Sequence, residues 1–185
     1  VAIALAEQLV EFQPVFYEDP VQIDSIKSQA EVAKRTTLPV ANGERMHSIW
    51  EFREMFEAGG SQYARPDLGL AGGFTAVKKI AAIAESYHSA VVTHNFLGPV
   101  LTAAACGIDT SIPNFLTQEY SKEDEQPFNA MFHSAWQRDG GYISVPDAVG
   151  IGIDLEVQGF QSQPYEPRNL QVIPMREDGS VGYSV

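Results

Sequence analysis

Five polar residues, Glu18, Glu44, Asp67, His94 and Glu119, each follow a short apolar run and recur about every 25 residues. Carboxylate oxygens are hard donors that suit Mg2+. An imidazole beside a carboxylate can take up and release a proton near neutral pH. Gathered at one place, these acids and the histidine would hold a divalent cation and supply a base. The chemistry would be removal of a proton α to a carboxylate, with the developing enolate charge met by the cation. A plainer reading stands beside this one. Asp67 and Glu44 each precede a helical stretch, where a carboxylate complements the helix dipole without any further role. His94 taken alone is equally well read as a hydrogen-bonded histidine near a core.

The elements that must position these side chains are legible as a repeat. Val15–Tyr17, Leu38–Ala41, Ser61–Arg65, Ser89–Thr93 and Ile112–Thr117 read as short strands. Between them lie helix-like stretches. Ile23, Ile26, Ala30 and Ala33 share one face, and Phe52, Met55 and Phe56 another, with Trp50 placed in the same core. Ser48-Ile49-Trp50-Glu51 is a capping box, Gly59-Gly60 a stop, and Pro99 and Gly107 bracket a further helix. Leu5, Leu9 and Phe12 place a helix at the N-terminus that Pro14 ends. Strand–helix alternation at this period implies parallel βα units, because parallel neighbours need a long crossover. Polar residues at successive strand ends then face one rim, where such folds keep their chemistry.

Beyond Glu119 the pattern changes. Residues 121–127 read as a polar loop, with Glu123, Asp124 and Glu125 a solvated run. Asp139-Gly140-Gly141 marks a turn between residues 131–137 and 142–145, the pattern of a hairpin. Pro164, Pro167 and Pro174 interrupt the tail. The glycines of residues 69–73 read as a tight βα turn rather than a phosphate cradle, since no Lys-Ser/Thr follows. Cys106, among small apolar residues, reads as core. His47, His88 and His133 have no matched partners and read as surface or packing residues.

Composition narrows the classes. The 185 residues carry 24 Asp+Glu against 12 Lys+Arg, a formal net charge of -12. Nucleic acid and anionic membrane both call for a basic surface, so neither is expected as a partner. A single cysteine excludes an intrachain disulfide and a cysteine-based zinc site. The most apolar stretch, 90–108, contains His94, Asn95 and Pro99 and is not read as membrane-spanning. No basic segment precedes the first apolar residues, so a signal peptide is a poor reading and a cytoplasmic location is expected.

Several of these segments also carry a family resemblance. Phe16-Tyr17-Glu18-Asp19-Pro20, Gly43-Glu44-Arg45-Met46, Arg65-Pro66-Asp67, Ala71-Gly72-Gly73, Thr93-His94 and Leu97-Gly98-Pro99 resemble, in order and spacing, the second half of the enolase superfamily barrel. The mandelate racemase branch fits best, and within it sugar-acid dehydratases of the galactonate dehydratase type. Gly150-Ile151-Gly152-Ile153 resembles the closing segment of that branch, so the resemblance runs to about Leu155. It implies a TIM-type barrel, of which residues 1–120 would be strands four to eight and residues 121–185 a C-terminal irregular and hairpin segment. It implies that Glu18 and Glu44 are metal ligands for Mg2+, with Asp19 a departure from the second Glu of the motif. Asp67 and His94 would be the dyad that removes the α-proton. Glu119 would contact a substrate carboxylate oxygen, and Arg45 the substrate. The ligand would be a small-molecule sugar acid, and the full-length form a homo-oligomer.

A complete barrel of this kind has eight strands in about 250 residues. The resemblance therefore places the capping domain, the early strands, the first Asp ligand, the base on strand two and the His beside the first ligand outside these residues. On this reading the chain is a fragment, and two carboxylates would bind Mg2+ weakly. The activity implied is dehydration of an aldonate through an enediolate. Racemisation, epimerisation and cycloisomerisation share that intermediate and stay open, as does a catalytically inactive truncated half-barrel. A metallohydrolase on a βα scaffold ranks last, because it calls for a His-x-His pattern and none occurs.

Overall fold

The computed structural model describes residues 1–123, 130–162 and 176–180. Asp124, Glu125, Pro127, Pro164, Pro167 and Pro174 lie outside the described residues. Five βα-type strands form one parallel sheet in chain order: β1 (Tyr17–Glu18), β2 (Val40–Asn42), β3 (Tyr63–Ala64), β4 (Ala90–Thr93) and β5 (Phe115–Gln118). Helices α2 (Ile26–Arg35), α3 (Ile49–Ala58), α4 (Gly73–Ser86) and α5 (Pro99–Asp109) cross between them, and α1 (Ala2–Leu9) precedes the sheet. This is the consecutive βα order of part of a (β/α) barrel, with β1 and β5 each paired on one side only.

Local chemistry fixes the helix ends. Ser25 caps α2 by accepting from the Ser28 N–H at 3.2 Å, and Lys34 and Arg35 occupy its last turn, where cations suit the dipole. Ser48 caps α3, and the Glu51 carboxylate reaches back to the His47 N–H at 2.9 Å and the Ser48 hydroxyl at 2.8 Å. This is the capping box with its return bond moved one residue upstream. Gly59, at φ +71°, ends α3 in the left-handed conformation. The core lies where α3, α4 and α5 cover the sheet. Phe52, Met55, Phe56, Val77, Ile80, Ala84, Val91, Ala105 and Ile108 are among its buried members.

Several details differ from expectation. Trp50 is 65% exposed, because the buried face of α3 runs through Phe52, Met55 and Phe56 on the opposite side. Ile23 lies before α2 rather than on it. Gly107 does not end α5, which continues to Asp109 because Ile108 is buried and Asp109 is tied to Thr93. Glu123 is buried rather than solvated, held by Asn95 at 3.2 Å and Thr102 at 2.5 Å. The N-terminal helix forms, but of its residues only Ala6 is buried, and Phe12 beyond it is exposed. The expected hairpin is shorter, with β7 (Gln137–Asp139) pairing β8 (Tyr142–Ser144) across Gly140-Gly141. Upstream, β6 (Phe132–Ser134) instead pairs β9 (Ile153–Leu155), before a short α6 (Val157–Ser162). Among the described residues no helix is long and apolar enough to cross a membrane.

A buried acid ties α5 to the sheet. The Thr93 hydroxyl lies 3.1 and 3.0 Å from the two carboxyl oxygens of Asp109 and 2.7 Å from Gln118 Oε1. One hydroxyl hydrogen cannot serve three acceptors. A proton on Asp109 resolves the shortage, and burial pushes that carboxyl up to about 7 against the opposing Thr93 bond. The unfolded chain releases this proton near pH 3.9. The stability it carries is therefore complete below about pH 4 and lost as pH rises through about 7. Denaturant titration of Asp109→Asn is expected to show a flatter pH dependence between pH 5 and 8 than the parent. The difference should be on the order of 1–3 kcal/mol. A residual slope of the same sign belongs to Asp19, pushed up to about 6 by burial and then by Glu44.

Candidate active site

Parallel pairing carries the backbone ladder past the ends of the strands. Asp19 N–H donates to Ala41 O, Arg65 N–H to Asn42 O, His94 N–H to Pro66 O and Glu119 N–H to Thr93 O, at 3.0–3.1 Å. Asp67 and His94 form an isolated parallel bridge. The register shifts between Val91 and Val92, so that Val91 pairs Phe115 but Val92 pairs Thr117. Such a bulge re-aims the residues that follow it. The result is that Glu18, Glu44, Asp67, His94 and Glu119 end up at one rim, in contact.

The tightest pair is His94 Nδ1 to Asp67 Oδ2, at 2.7 Å. Asp67 is fully buried, and its other oxygen accepts from the Leu70 N–H at 3.0 Å. One carboxylate thus serves both readings made of it: it closes the turn before α4 and orients an imidazole. An acceptor at Nδ1 places that nitrogen's hydrogen toward Asp67 and leaves Nε2 of the neutral ring unprotonated. Nε2 faces the remaining acids, 3.5 Å from Glu44 Oε2 and 3.7 Å from Glu119 Oε2.

At the centre stands Arg65, only 2% exposed. Its Nη2 lies 2.8 Å from Glu18, 2.9 Å from Glu119 and 3.4 Å from Glu44. Glu119 Oε2 also accepts from the Asn95 N–H at 3.2 Å. The Asn95 amide in turn contacts Thr102 and Glu123. Arg45 pairs with Glu44 through Nε at 3.2 Å, its side chain 56% exposed. Sequence reasoning missed Arg65, Asn95, Thr102 and Glu123. For Arg65 a signal existed: it is a lone base ahead of Pro66-Asp67, at a strand end, in a chain short of bases. Glu123 offered none, since its donors lie distant in sequence.

The donor set fits a hard divalent cation in kind. Glu18 and Glu44 are carboxylates that converge on one point, and both buried oxygens of Asp19 beside them have no partner. The set is short in number, for among the described residues no group of three or more His, Cys, Asp or Glu stands placed to hold a metal.

Comparison with known proteins agrees with the fold. Residues 1–159 match the family described as enolase C-terminal domain-like. A D-galactonate dehydratase of Ralstonia pickettii is 37% identical over 158 residues, which is 82% of this chain and 41% of the relative. A mandelate racemase/muconate lactonizing enzyme of Jannaschia superposes with a TM-score of 0.85 at 33% identity, over 92% of this chain and 44% of that one. An enolase superfamily member of Salmonella Typhimurium gives 0.82 at 30% identity, over 88% and 42%. The chain thus spans about two fifths of the length of the curated relatives it matches.

The placement of Glu44 depends on the glycine before it. Gly43 has φ +136°, and an added β-carbon would lie 2.5 Å from Phe52 Cε1 and 3.3 Å from the Arg65 carbonyl carbon. Gly43→Ala is expected to lower stability by about 1–3 kcal/mol in denaturant unfolding. Gly141→Ala, where nothing lies within 4 Å, is expected to change it by less than about 0.5 kcal/mol.

Proposed function

This chain belongs to the enolase C-terminal domain-like family, and on that premise we propose that it supplies the C-terminal share of a Mg2+-dependent site that dehydrates a sugar acid. The observation that carries the reading is the Asp67–His94 pair at 2.7 Å, its free nitrogen turned toward the acids of the same rim. The dehydratase activity named for the Ralstonia relatives supports the choice of reaction. Glu18 and Glu44 are the residues that would hold the cation. When bound, it would draw charge from the substrate carboxylate and so ease loss of the neighbouring proton.

The chain's own residues divide the remaining work. Asp67 keeps the imidazole in one tautomer and one orientation. His94 Nε2 takes the proton from the carbon α to the carboxylate. Glu119, held by Arg65 and Asn95 through one oxygen, would need a proton on the other to donate a hydrogen bond to the substrate carboxylate as charge builds there. Arg45 at the rim offers a cation to the substrate. The β-hydroxyl, protonated by the imidazolium of His94, then leaves as water and an enol remains, which becomes a 2-keto-3-deoxy acid. Retention of that hydroxyl, with reprotonation at the α-carbon, would make the same site a racemase or epimerase, and the mandelate racemase-like solved structures favour keeping that second outcome in view.

A catalytically silent half-barrel is a third reading, kept because among the described residues no group of three or more His, Cys, Asp or Glu stands placed to hold a metal. One experiment separates the three. The intact protein is incubated in D2O with Mg2+ and a panel of aldonates. Dehydration predicts keto acid, reduced by roughly 100- to 10,000-fold in His94→Asn. Deuterium at the α-carbon without keto acid identifies racemisation or epimerisation. Neither product from any aldonate, with no Mg2+ uptake by calorimetry, rejects the catalytic reading.

A further inference from the structure

In the proposed chemistry Arg65 only holds Glu119, yet it reaches two further acids. Its guanidinium is almost wholly buried, and a single nitrogen, Nη2, approaches three carboxylates. Two hydrogens on that nitrogen serve Glu18 and Glu119 at 2.8 and 2.9 Å, and the 3.4 Å approach to Glu44 is chiefly coulombic. The buried Nε has no partner. The other cationic side chain at this rim is Arg45, which is half-exposed and turned to the opposite oxygen of Glu44. Without Arg65, three carboxylates would face one another across the width of a guanidinium, Glu44 largely buried and Glu18 and Glu119 partly exposed.

We propose that Arg65 is a resident counter-cation: it gathers Glu18, Glu44 and Glu119 at one point and competes with a divalent ion for Glu18 and Glu44. Arginine suits the task because it keeps its charge when buried and the two hydrogens of Nη2 reach two carboxylates at once. It acts through these acids and is a positioning residue. A divalent ion entering between Glu18 and Glu44 meets a site whose charge is already partly neutralised, so Arg65 lowers the affinity for metal while keeping the ligands in place. The competition rests on the reading of Glu18 and Glu44 as metal ligands; the gathering of the acids does not.

The test is a thermal-unfolding cycle on the intact protein with Arg65→Met, Glu119→Gln and the two combined, in EDTA and in millimolar Mg2+. In EDTA, Arg65→Met is expected to lower Tm by about 5 °C or more. Glu119→Gln is expected to lower Tm or leave it unchanged when Arg65 is present, and to raise it when Arg65 is absent. That reversal of sign reports charge balance, which a packing role would not produce. Equal shifts of Glu119→Gln in both backgrounds overturn the proposal. If Arg65→Met does not fold, a folded double variant supports the proposal and an equally unfolded one overturns it. In the second arm, Mg2+ is expected to raise Tm of the folded Arg65-less protein, single or double variant, by several degrees more than its Arg65-containing counterpart. Equal responses overturn the competition, and with it the ligand reading of Glu18 and Glu44, while the cycle in EDTA still decides whether Arg65 gathers the acids.

Discussion

Parallel pairing obliges neighbouring strands to run, and to end, in the same direction. In this chain that obligation is met in four successive pairings, and it is what brings Arg65 into hydrogen-bonding distance of Glu18, 47 positions before it, and of Glu119, 54 positions after it. The N–H groups of Asp19, Arg65, His94 and Glu119 each donate to the end of the adjacent strand. The rim is therefore set by the backbone, and the side chains inherit their convergence from it. Capped helices α2 and α3 and the packed faces of α3, α4 and α5 return the chain to the same edge each time.

Convergence creates a difficulty that the sheet alone cannot settle. Glu18, Asp19, Glu44, Asp67 and Glu119 are like charges in a small volume. Each carboxylate needs a donor or a cation to remain there. The structure answers in three ways. Asp67 has His94 and the Leu70 N–H. Glu18, Glu44 and Glu119 share Arg65. Asp19, whose oxygens lack partners, is pushed toward its protonated form by burial and by Glu44. A divalent ion would be a further answer of the same kind.

Much of this was legible in the sequence because it follows from periodicity. The recurrence of an apolar run and a polar stop located five strands, and Ser48-x-x-Glu51 and Gly59-Gly60 located the ends of α3. Residues whose importance depends on strand position, such as Asp67 and His94, came with them. What escaped were contacts decided in three dimensions. Glu123 lies in a run that reads as solvated, yet the Asn95 amide and Thr102 hydroxyl offer it donors. Gly107 reads as a stop, yet the tie from Asp109 to Thr93 carries the helix two residues further. Trp50 reads as core because tryptophans usually are, whereas the helical phase of Phe52, Met55 and Phe56 turns it outward. Arg65 reads as a strand-end residue, and only the closed approach of three strands reveals what surrounds it.

The central claim is that strand register fixes an imidazole against a buried carboxylate so that its other nitrogen faces the acid ring. Nitrogen NMR of the His94 ring tests it most directly, since the two neutral tautomers give distinct signals. The account predicts that the neutral form of the ring carries its proton on Nδ1, and that this preference is lost in Asp67→Asn. A proton on Nε2, or a tautomer indifferent to Asp67→Asn, would contradict it.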